Sequence, residues 1–300
     1  MGYKTLYIRD SESVRLYLDN IIVKTNTGEI RFLISDLKSL IIDNYKICLS
    51  TKLINKLTQN NVALIICDLS HNPFTQLIPL NGNYASSGII KKQITWNDDL
   101  KQIIHQKIII AKINAQLQIL KINDIDKKTQ AMMTDYLNEV QIGDITNREG
   151  LAAKVYFKAL FGKKFIRFAD DTINAGLNYG YAVFRSQIRA ILVSKGLLLN
   201  LGIFHCGENN EGNLSDDIIE VFRPLVDNYV FNNMLNCEIF TSNHKENIIK
   251  LTNLKISYNK QLHTINNCIE MYIESIMKCF EYNDSTFFIA PSLETINNDI

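Results

Sequence analysis

Apolar positions keep a strand rhythm over roughly the first 85 residues of this chain. Val14-Arg15-Leu16-Tyr17-Leu18-Asp19-Asn20 alternates and runs into Ile21-Ile22-Val23. Asn26-Thr27-Gly28-Glu29 is a turn signal, after which Ile30-Arg31-Phe32-Leu33-Ile34 resumes the alternation. Leu40-Ile41-Ile42 and Ile47-Cys48-Leu49 predict further short strands, and Val62 to Cys67 a buried one. Between them, Leu53, Ile54 and Leu57 share one face of a predicted helix over residues 52–60.

The rhythm changes after a polar, glycine-containing break at Leu80-Asn81-Gly82-Asn83. From Trp96 the apolar residues Leu100, Ile103, Ile104, Ile108, Ala111, Ala115 and Leu117 to Leu120 recur at three- and four-residue steps. A second helix is predicted from about Gln130 to Val140. Only Pro224 and Pro291 follow residue 80, which favours long helices. Lys255 to Leu262 predicts a small hairpin. A last helix, about Asn266 to Glu281, carries Ile269, Tyr272, Ile273, Ile276 and Phe280 on one face. The polar tail after Asn283 predicts poor order. The fold class is therefore α+β: a β-rich domain over residues 1–85, followed by a larger helical domain over 86–300.

Composition narrows the function classes only a little. The 300 residues carry a formal charge of +1, so any attraction to a polyanion must come from a local surface. The six cysteines show no C-x-x-C pair, which argues against a structural zinc site, and their apolar neighbours predict reduced, buried thiols. No secretory leader and no apolar run long enough to span a bilayer is present, so a cytoplasmic location is expected.

Candidate chemistry clusters between Asn147 and Asp227. Thr146-Asn147-Arg148-Glu149 has the spacing of a capping box, in which Glu149 merely returns a hydrogen bond to the cap. Gly150 directly behind it weakens a first helical turn, unless something approaches the backbone closely there. Asp217 and Glu220, on a helix expected to be capped by Ser215, share a face. Asp216 and Asp217 suit a helix N-terminus for the dipole alone, but Glu220 lies deeper among Ile218, Ile219, Val221 and Phe222. A carboxylate there wants a cation, and Arg223 or a metal qualifies. His205 ends the apolar run from Leu197 to Phe204, where a hydrogen-bonded core histidine is the competing reading.

Charge is unevenly spread around these residues. Between 145 and 199 there are nine basic residues (Arg148, Lys154, Lys158, Lys163, Lys164, Arg167, Arg185, Arg189 and Lys195) against Glu149, Asp170 and Asp171. Between 205 and 227 six acids face the single Arg223. A basic surface beside an acidic cluster suits a phosphate backbone bound around a metal, although two ordinary solvated helix faces give the same count. Tyr156, Tyr179 and Tyr181 are candidates for base stacking or for core packing.

Four separated blocks then carry a resemblance. They are Asn147-Arg148-Glu149-Gly150 with Ala153 to Phe157, Ile173-Asn174-Ala175-Gly176-Leu177-Asn178-Tyr179-Gly180-Tyr181, Gly202-Ile203-Phe204-His205, and Asp217 to Asp227. Together they resemble CRISPR-associated protein one, the adaptation integrase, in its type II branch. The resemblance implies a β domain that builds a homodimer and a helical catalytic domain. It also implies assembly with a dimer of the companion subunit, CRISPR-associated protein two, and in this branch with the effector nuclease and a further adaptation subunit. It places Glu149, His205 and Glu220 at metal-ligand positions for Mg²⁺ or Mn²⁺, with Asp217 as a supporting acid. Arg148, Lys154, Lys163, Lys164, Arg167, Asn178, Tyr179, Arg185 and Arg189 are the expected contacts to double-stranded DNA. The implied reaction is attack of a DNA 3′-hydroxyl on a repeat phosphodiester. A metal-dependent nuclease on branched DNA, or a non-catalytic DNA-binding scaffold, are the competing functions.

Overall fold

The computed structural model describes residues 2–77 and 83–296. Its first part holds strands β1 (Lys4–Ile8), β2 (Ser13–Tyr17), β3 (Asn20–Thr25), β4 (Gly28–Leu33) and β5 (Leu37–Ile42). Helix α1 (Thr51–Gln59) then precedes β6 (Ala63–Cys67) and β7 (Pro73–Leu77). β2, β3 and β4 form an antiparallel meander whose second turn falls on Thr25–Gly28, as the turn signal predicts. The other sheet runs β1-β5-β6-β7, with β1, β5 and β6 parallel and β7 antiparallel. α1 supplies the crossover that a parallel β5–β6 pair requires.

This mixed sheet explains the continuous apolar runs in β5 and β6. Leu40 and Ile42 face a small core with Val14, Ile21, Leu53 and Leu57. Ile41 and Ile65, one residue out of phase, face the helical core instead. A sheet covered on both faces has no polar side to alternate with. Ile47-Cys48-Leu49 is not a strand. The chain turns at Asn44, whose amide binds the Arg9 (2.6 Å) and Ser11 (3.3 Å) carbonyls, and Ile47 and Leu49 only pack against the small core. Leu80, Asn81 and Gly82 of the expected break lie outside the described residues.

The second part is helical: α2 (Ser86–Ile94), α3 (Asp98–Ile122), α4 (Lys127–Asn138), α5 (Arg148–Phe161), α6 (Thr172–Ser194), α7 (Asn213–Ile219), α8 (Arg223–Met234) and α9 (Ser242–Leu251). The hairpin β8 (Lys255–Tyr258) and β9 (Gln261–Thr264) and the last helix α10 (Ile265–Tyr282) follow. α3 and α6 are the central pieces, and the C-terminal half of α3 is buried nearly all round. Among the described residues no helix is long and apolar enough to cross a membrane.

The two parts are joined by polar as well as apolar contacts. Ser39, Gln187, Thr252 and Asn266 all reach the Thr5 hydroxyl within 3.0–3.2 Å. Glu270 of α10 takes Lys38 of β5 at 2.6 Å and Lys195 at 2.9 Å. Two expectations fail here. The tail is packed through residue 296: Leu293 is fully buried, its N–H bonds Gln118 (2.8 Å), and Ser292 pairs with Ser257. Of the cysteines only Cys268 and Cys279 are buried, while Cys48 and Cys206 are exposed.

Candidate active site

Glu149 owes its freedom to the two residues that cap α5 in its place. Asn147, in a left-handed conformation with φ of 50°, is the cap and accepts the Gly150 N–H (3.2 Å). The Asp144 carboxylate accepts the N–H groups of Arg148 (2.8 Å) and Glu149 (3.0 Å). The capping box from Thr146 does not form, because the orphan donors of the first turn are already met. Gly150 has a local reason: a Cβ there would lie 2.6 Å from Asn147 Oδ1. The Glu149 side chain instead receives Lys112 of α3, whose Nζ donates to Oε1 at 2.5 Å.

The same ammonium meets Glu220. That residue ends α7, is only 8% exposed, and has Oε2 at 2.5 Å from Lys112 Nζ and Oε1 at 3.0 Å from Arg223 Nε. Glu149 and Glu220 are thus held within two hydrogen-bond lengths of each other. Glu220 Oε2 nevertheless has no hydrogen bond of good geometry; it is a buried oxygen that meets a charge without a directed donor. Ser215 is not the cap of this helix. Gly212 is, and Ser215 turns its hydroxyl back to the Gly212 carbonyl at 2.7 Å.

His205 is set by Asp217, which is 2% exposed. Asp217 Oδ2 accepts the N–H groups of Ile203 (2.5 Å) and Phe204 (3.1 Å), and Oδ1 accepts the His205 N–H (3.1 Å) and lies 2.7 Å from His205 Nδ1. An ionised carboxylate only accepts, so in the neutral imidazole Nδ1 carries the proton and Nε2 keeps its lone pair. Gly202 makes this loop possible: a Cβ there would sit 2.3 Å from the His205 carbonyl and 2.8 Å from Asp217 Oδ2. Behind the loop, His105 of α3 stacks face to face on Phe204, with ring centroids 3.6 Å apart, and its Nδ1 is buried without a partner.

Electrostatics follow from this packing. Burial opposes ionisation of Glu220, but Lys112 and Arg223 carry its carboxyl down to about 2. Burial likewise works against the charge on Lys112, and Glu220 and Glu149 reverse that, holding its ammonium above the ordinary range. The hydrogen bond to Asp217 raises His205. Burial lowers His105, which keeps that ring neutral. Lys112 and His105 were invisible as site residues, since both sit inside an apolar helical rhythm. The available signal was a lysine between Ile109 and Ile113, on a face too apolar for an unpaired charge.

The expected DNA contacts divide. Lys154, Lys163, Lys164 and Asn178 are exposed. Arg167 donates to Asn174 (2.8 Å) and Asn178 (2.7 Å) and lies over the Tyr181 ring. Arg148 pairs with Glu139 (3.0 Å), Arg185 with Asp216 (2.7 Å), and Arg189 with the Ser215 hydroxyl (3.3 Å), so these three are committed to protein partners. Tyr179 is 1% exposed, packed edge-on against Phe240 with Lys245 over its ring, and has no face for a base. Tyr156 and Tyr181 are core residues as well.

Two of the three expected ligands, Glu149 and Glu220, are therefore neighbours across Lys112, while His205 is bonded to Asp217. Among the described residues no group of three or more His, Cys, Asp or Glu side chains stands in metal-binding geometry. Lys112 bridges the two glutamates, and Asp217 fixes the orientation of His205. The donor chemistry still fits a hard divalent ion. Two carboxylates and an imidazole nitrogen suit Mg²⁺ or Mn²⁺, a carboxylate-backed histidine is a common ligand arrangement, and Glu220 Oε2 is an undirected buried oxygen beside a cation.

Comparison with known proteins agrees with the fold. The family model described as CRISPR associated protein Cas1 matches residues 6–263. The chain is 31% identical over 279 residues to the CRISPR-associated endonuclease Cas1 of Neisseria meningitidis serogroup C (strain 8013), covering 92% of this chain and 91% of that one. It is 25% identical over 227 residues to a CRISPR-associated endonuclease Cas1 of Francisella tularensis subsp. novicida, covering 69% and 70%. Among solved structures, a casposase bound to integration product superposes with a TM-score of 0.73 at 20% identity, covering 95% of this chain and 92% of that one. A Cas1 protein from Thermotoga maritima gives 0.73 at 15% identity, covering 93% and 97%. The match over most of the chain and the identity to the Neisseria protein settle the family: this protein is a member of the Cas1 family.

Proposed function

We propose that this Cas1 protein is a divalent-metal-dependent DNA integrase and endonuclease of CRISPR adaptation, in the type II branch. The observation that carries the reading is the convergence of Glu149 and Glu220 on one cation, beside a His205 whose free nitrogen is fixed by Asp217. Glu149, Glu220 and His205 would hold the metal. Bound there, Mg²⁺ or Mn²⁺ would polarise a phosphodiester and stabilise the charge that develops on it. The chain's own residues orient this chemistry. Asp217 sets the tautomer of His205, and Arg223 keeps Glu220 ionised and in place.

In the joining reaction a DNA 3′-hydroxyl gives up its proton and its oxygen bonds the repeat phosphorus. The repeat strand's 3′-oxygen leaves and takes up a proton, so one phosphodiester replaces another. Water in place of the hydroxyl gives hydrolysis. Exposed Lys154, Lys163 and Lys164 supply positive charge for the DNA backbone. Similar structures include a casposase bound to integration product and a Cas6-RT-Cas1–Cas2 complex, which supports DNA and a Cas2 subunit as partners. Tyr17, Leu18, Ile30 and Leu33 on the β2-β3-β4 meander are exposed, which supports homodimer formation through this domain. The effector nuclease and a further adaptation subunit complete the proposed assembly.

The test is a joining assay with a 3′-hydroxyl DNA, a repeat-containing target, Mn²⁺ and the companion subunit. Joined product is expected, and its loss with Glu149→Gln, His205→Ala and Glu220→Gln. Cut target without joined product would favour a nuclease, and unchanged joining by all three variants would remove the site.

A further inference from the structure

Among the described residues, Lys112 is the cation that Glu149 and Glu220 share. It projects from the middle of α3, is 12% exposed at its side chain, and lies 2.5 Å from Glu149 Oε1 and from Glu220 Oε2. Two carboxylates from different helices, α5 and the end of α7, repel each other when brought this close. With the ammonium between them they form a compact ion triad, extended by Arg223 on the far oxygen of Glu220. The contact to Glu220 Oε2 is short, buried and poorly aligned for a hydrogen bond. Charge and proximity dominate it, and a divalent cation, with twice the charge, competes for the same oxygens.

Building on the metal-site reading above, we propose that Lys112 is a positioning residue that competes with the metal. Its ammonium occupies the seat between Glu149 and Glu220 in the metal-free protein and withdraws when a divalent ion enters. Lys112 thereby pre-assembles α5 and α7 at ligand spacing without a metal, and it weakens metal binding in return. A lysine that merely packs, or that braces the ligands from behind, would affect metal binding in the opposite direction.

The experiment measures Mn²⁺ binding by calorimetry, and thermal unfolding with and without Mn²⁺, in the full chain and its Lys112→Met variant. Removing one unit charge at this distance is expected to tighten Mn²⁺ binding by about tenfold or more. The metal-free variant should melt lower than the parent, and Mn²⁺ should raise its melting temperature by more than it raises the parent's. Lys112→Gln is one atom shorter and keeps a donor without the charge, so it gives the same direction if the methionine variant does not fold. Lys112→Arg keeps the charge and should bind Mn²⁺ no more tightly than the parent. Equal or weaker Mn²⁺ binding in both neutral variants, with normal binding in the parent, overturns the competition while leaving the metal site standing. Absence of Mn²⁺ binding in the parent itself, with Glu149→Gln indistinguishable from it, overturns the metal site and this proposal together.

Discussion

The buried carboxylate of Asp217 holds His205 twice, through the backbone N–H (3.1 Å) and through ring Nδ1 (2.7 Å). It also holds the Ile203 and Phe204 N–H groups, so a single side chain shapes the whole loop. Asp217→Asn removes the negative charge and replaces one acceptor by a donor that faces N–H groups. Hydrogen bonds to a charged acceptor are worth about 1.5–3 kcal/mol each, so the variant is expected to lose several kcal/mol of stability. Metal affinity is expected to fall by about 10- to 100-fold, the usual effect of losing a ligand's carboxylate partner. Denaturant unfolding and Mn²⁺ calorimetry check this, and unchanged affinity would mean that Asp217 serves the loop alone.

Asp227 of α8 gives the chain a pH signature. Burial pushes its carboxyl up to about 7, against the opposing pull of the Tyr181 hydrogen bond, the poorly aimed Tyr156 hydroxyl, Arg223 and Lys112. The native state therefore keeps this proton long after the unfolded chain has lost it near 3.8. Wherever the native state binds more protons, stability falls as pH rises, so this group destabilises progressively from about pH 4 to about 7. Asp227→Asn keeps an acceptor for Tyr181 and cannot ionise. It should gain stability relative to the parent between pH 5 and pH 8 in urea unfolding. Parallel stability curves across that range would show that Asp227 is ionised throughout.

The parts of this protein written in local pattern were readable from the letters. α3, α4, α10 and the β8–β9 hairpin follow from apolar spacing, and Glu149 and Glu220, from two of the separated blocks, meet on Lys112. What the pattern hides is long-range. β1 contributes a parallel strand because Leu37 to Ile42 lies beside it, and no property of Lys4–Ile8 alone says so. Lys112 reads as one polar position on an amphipathic helix until two glutamates, 37 and 108 residues downstream, fold onto it. The capping box at Thr146 had the right spacing and lost to Asn147 and Asp144, which reach the same N–H groups first. Tyr179 carries the composition of a stacking residue, yet its face of α6 turns inward.

Glu270 ties the N-terminal sheet to the helices. It is charged between Lys38 at 2.6 Å and Lys195 at 2.9 Å, and Lys195 also reaches Glu274. Burial works against its ionisation, but Lys38 and Lys195 together hold its carboxyl below the ordinary range. A depressed acid contributes stability above its unfolded value and loses it as pH falls. Glu270→Gln leaves the mostly buried Lys38 ammonium without its carboxylate, while Lys195 keeps Glu274, and should cost about 3–5 kcal/mol at neutral pH. The deficit should shrink as the parent is acidified below pH 4. A constant deficit at all pH values would assign the effect to packing.

The C-terminal segment tests how far the core extends. Leu293 is fully buried, and Gln118 of α3 fixes it from three sides: Oε1 accepts the Leu293 N–H (2.8 Å), and Nε2 donates to Ser292 and Glu294 (both 3.2 Å). Polar letters predicted a loose tail because its anchors, chiefly Leu293 and Ile296, are few and follow no helical or strand period. One fully buried leucine is still enough to matter, since Leu→Ala in a core costs about 2–5 kcal/mol. Leu293→Ala is therefore expected to lower the midpoint of urea unfolding, and amide exchange at Gln118 and Ser257 should accelerate with it. Exposed positions nearby, such as Glu294, should tolerate alanine. An unfolding midpoint for Leu293→Ala equal to that of Glu294→Ala would place the segment outside the cooperative core.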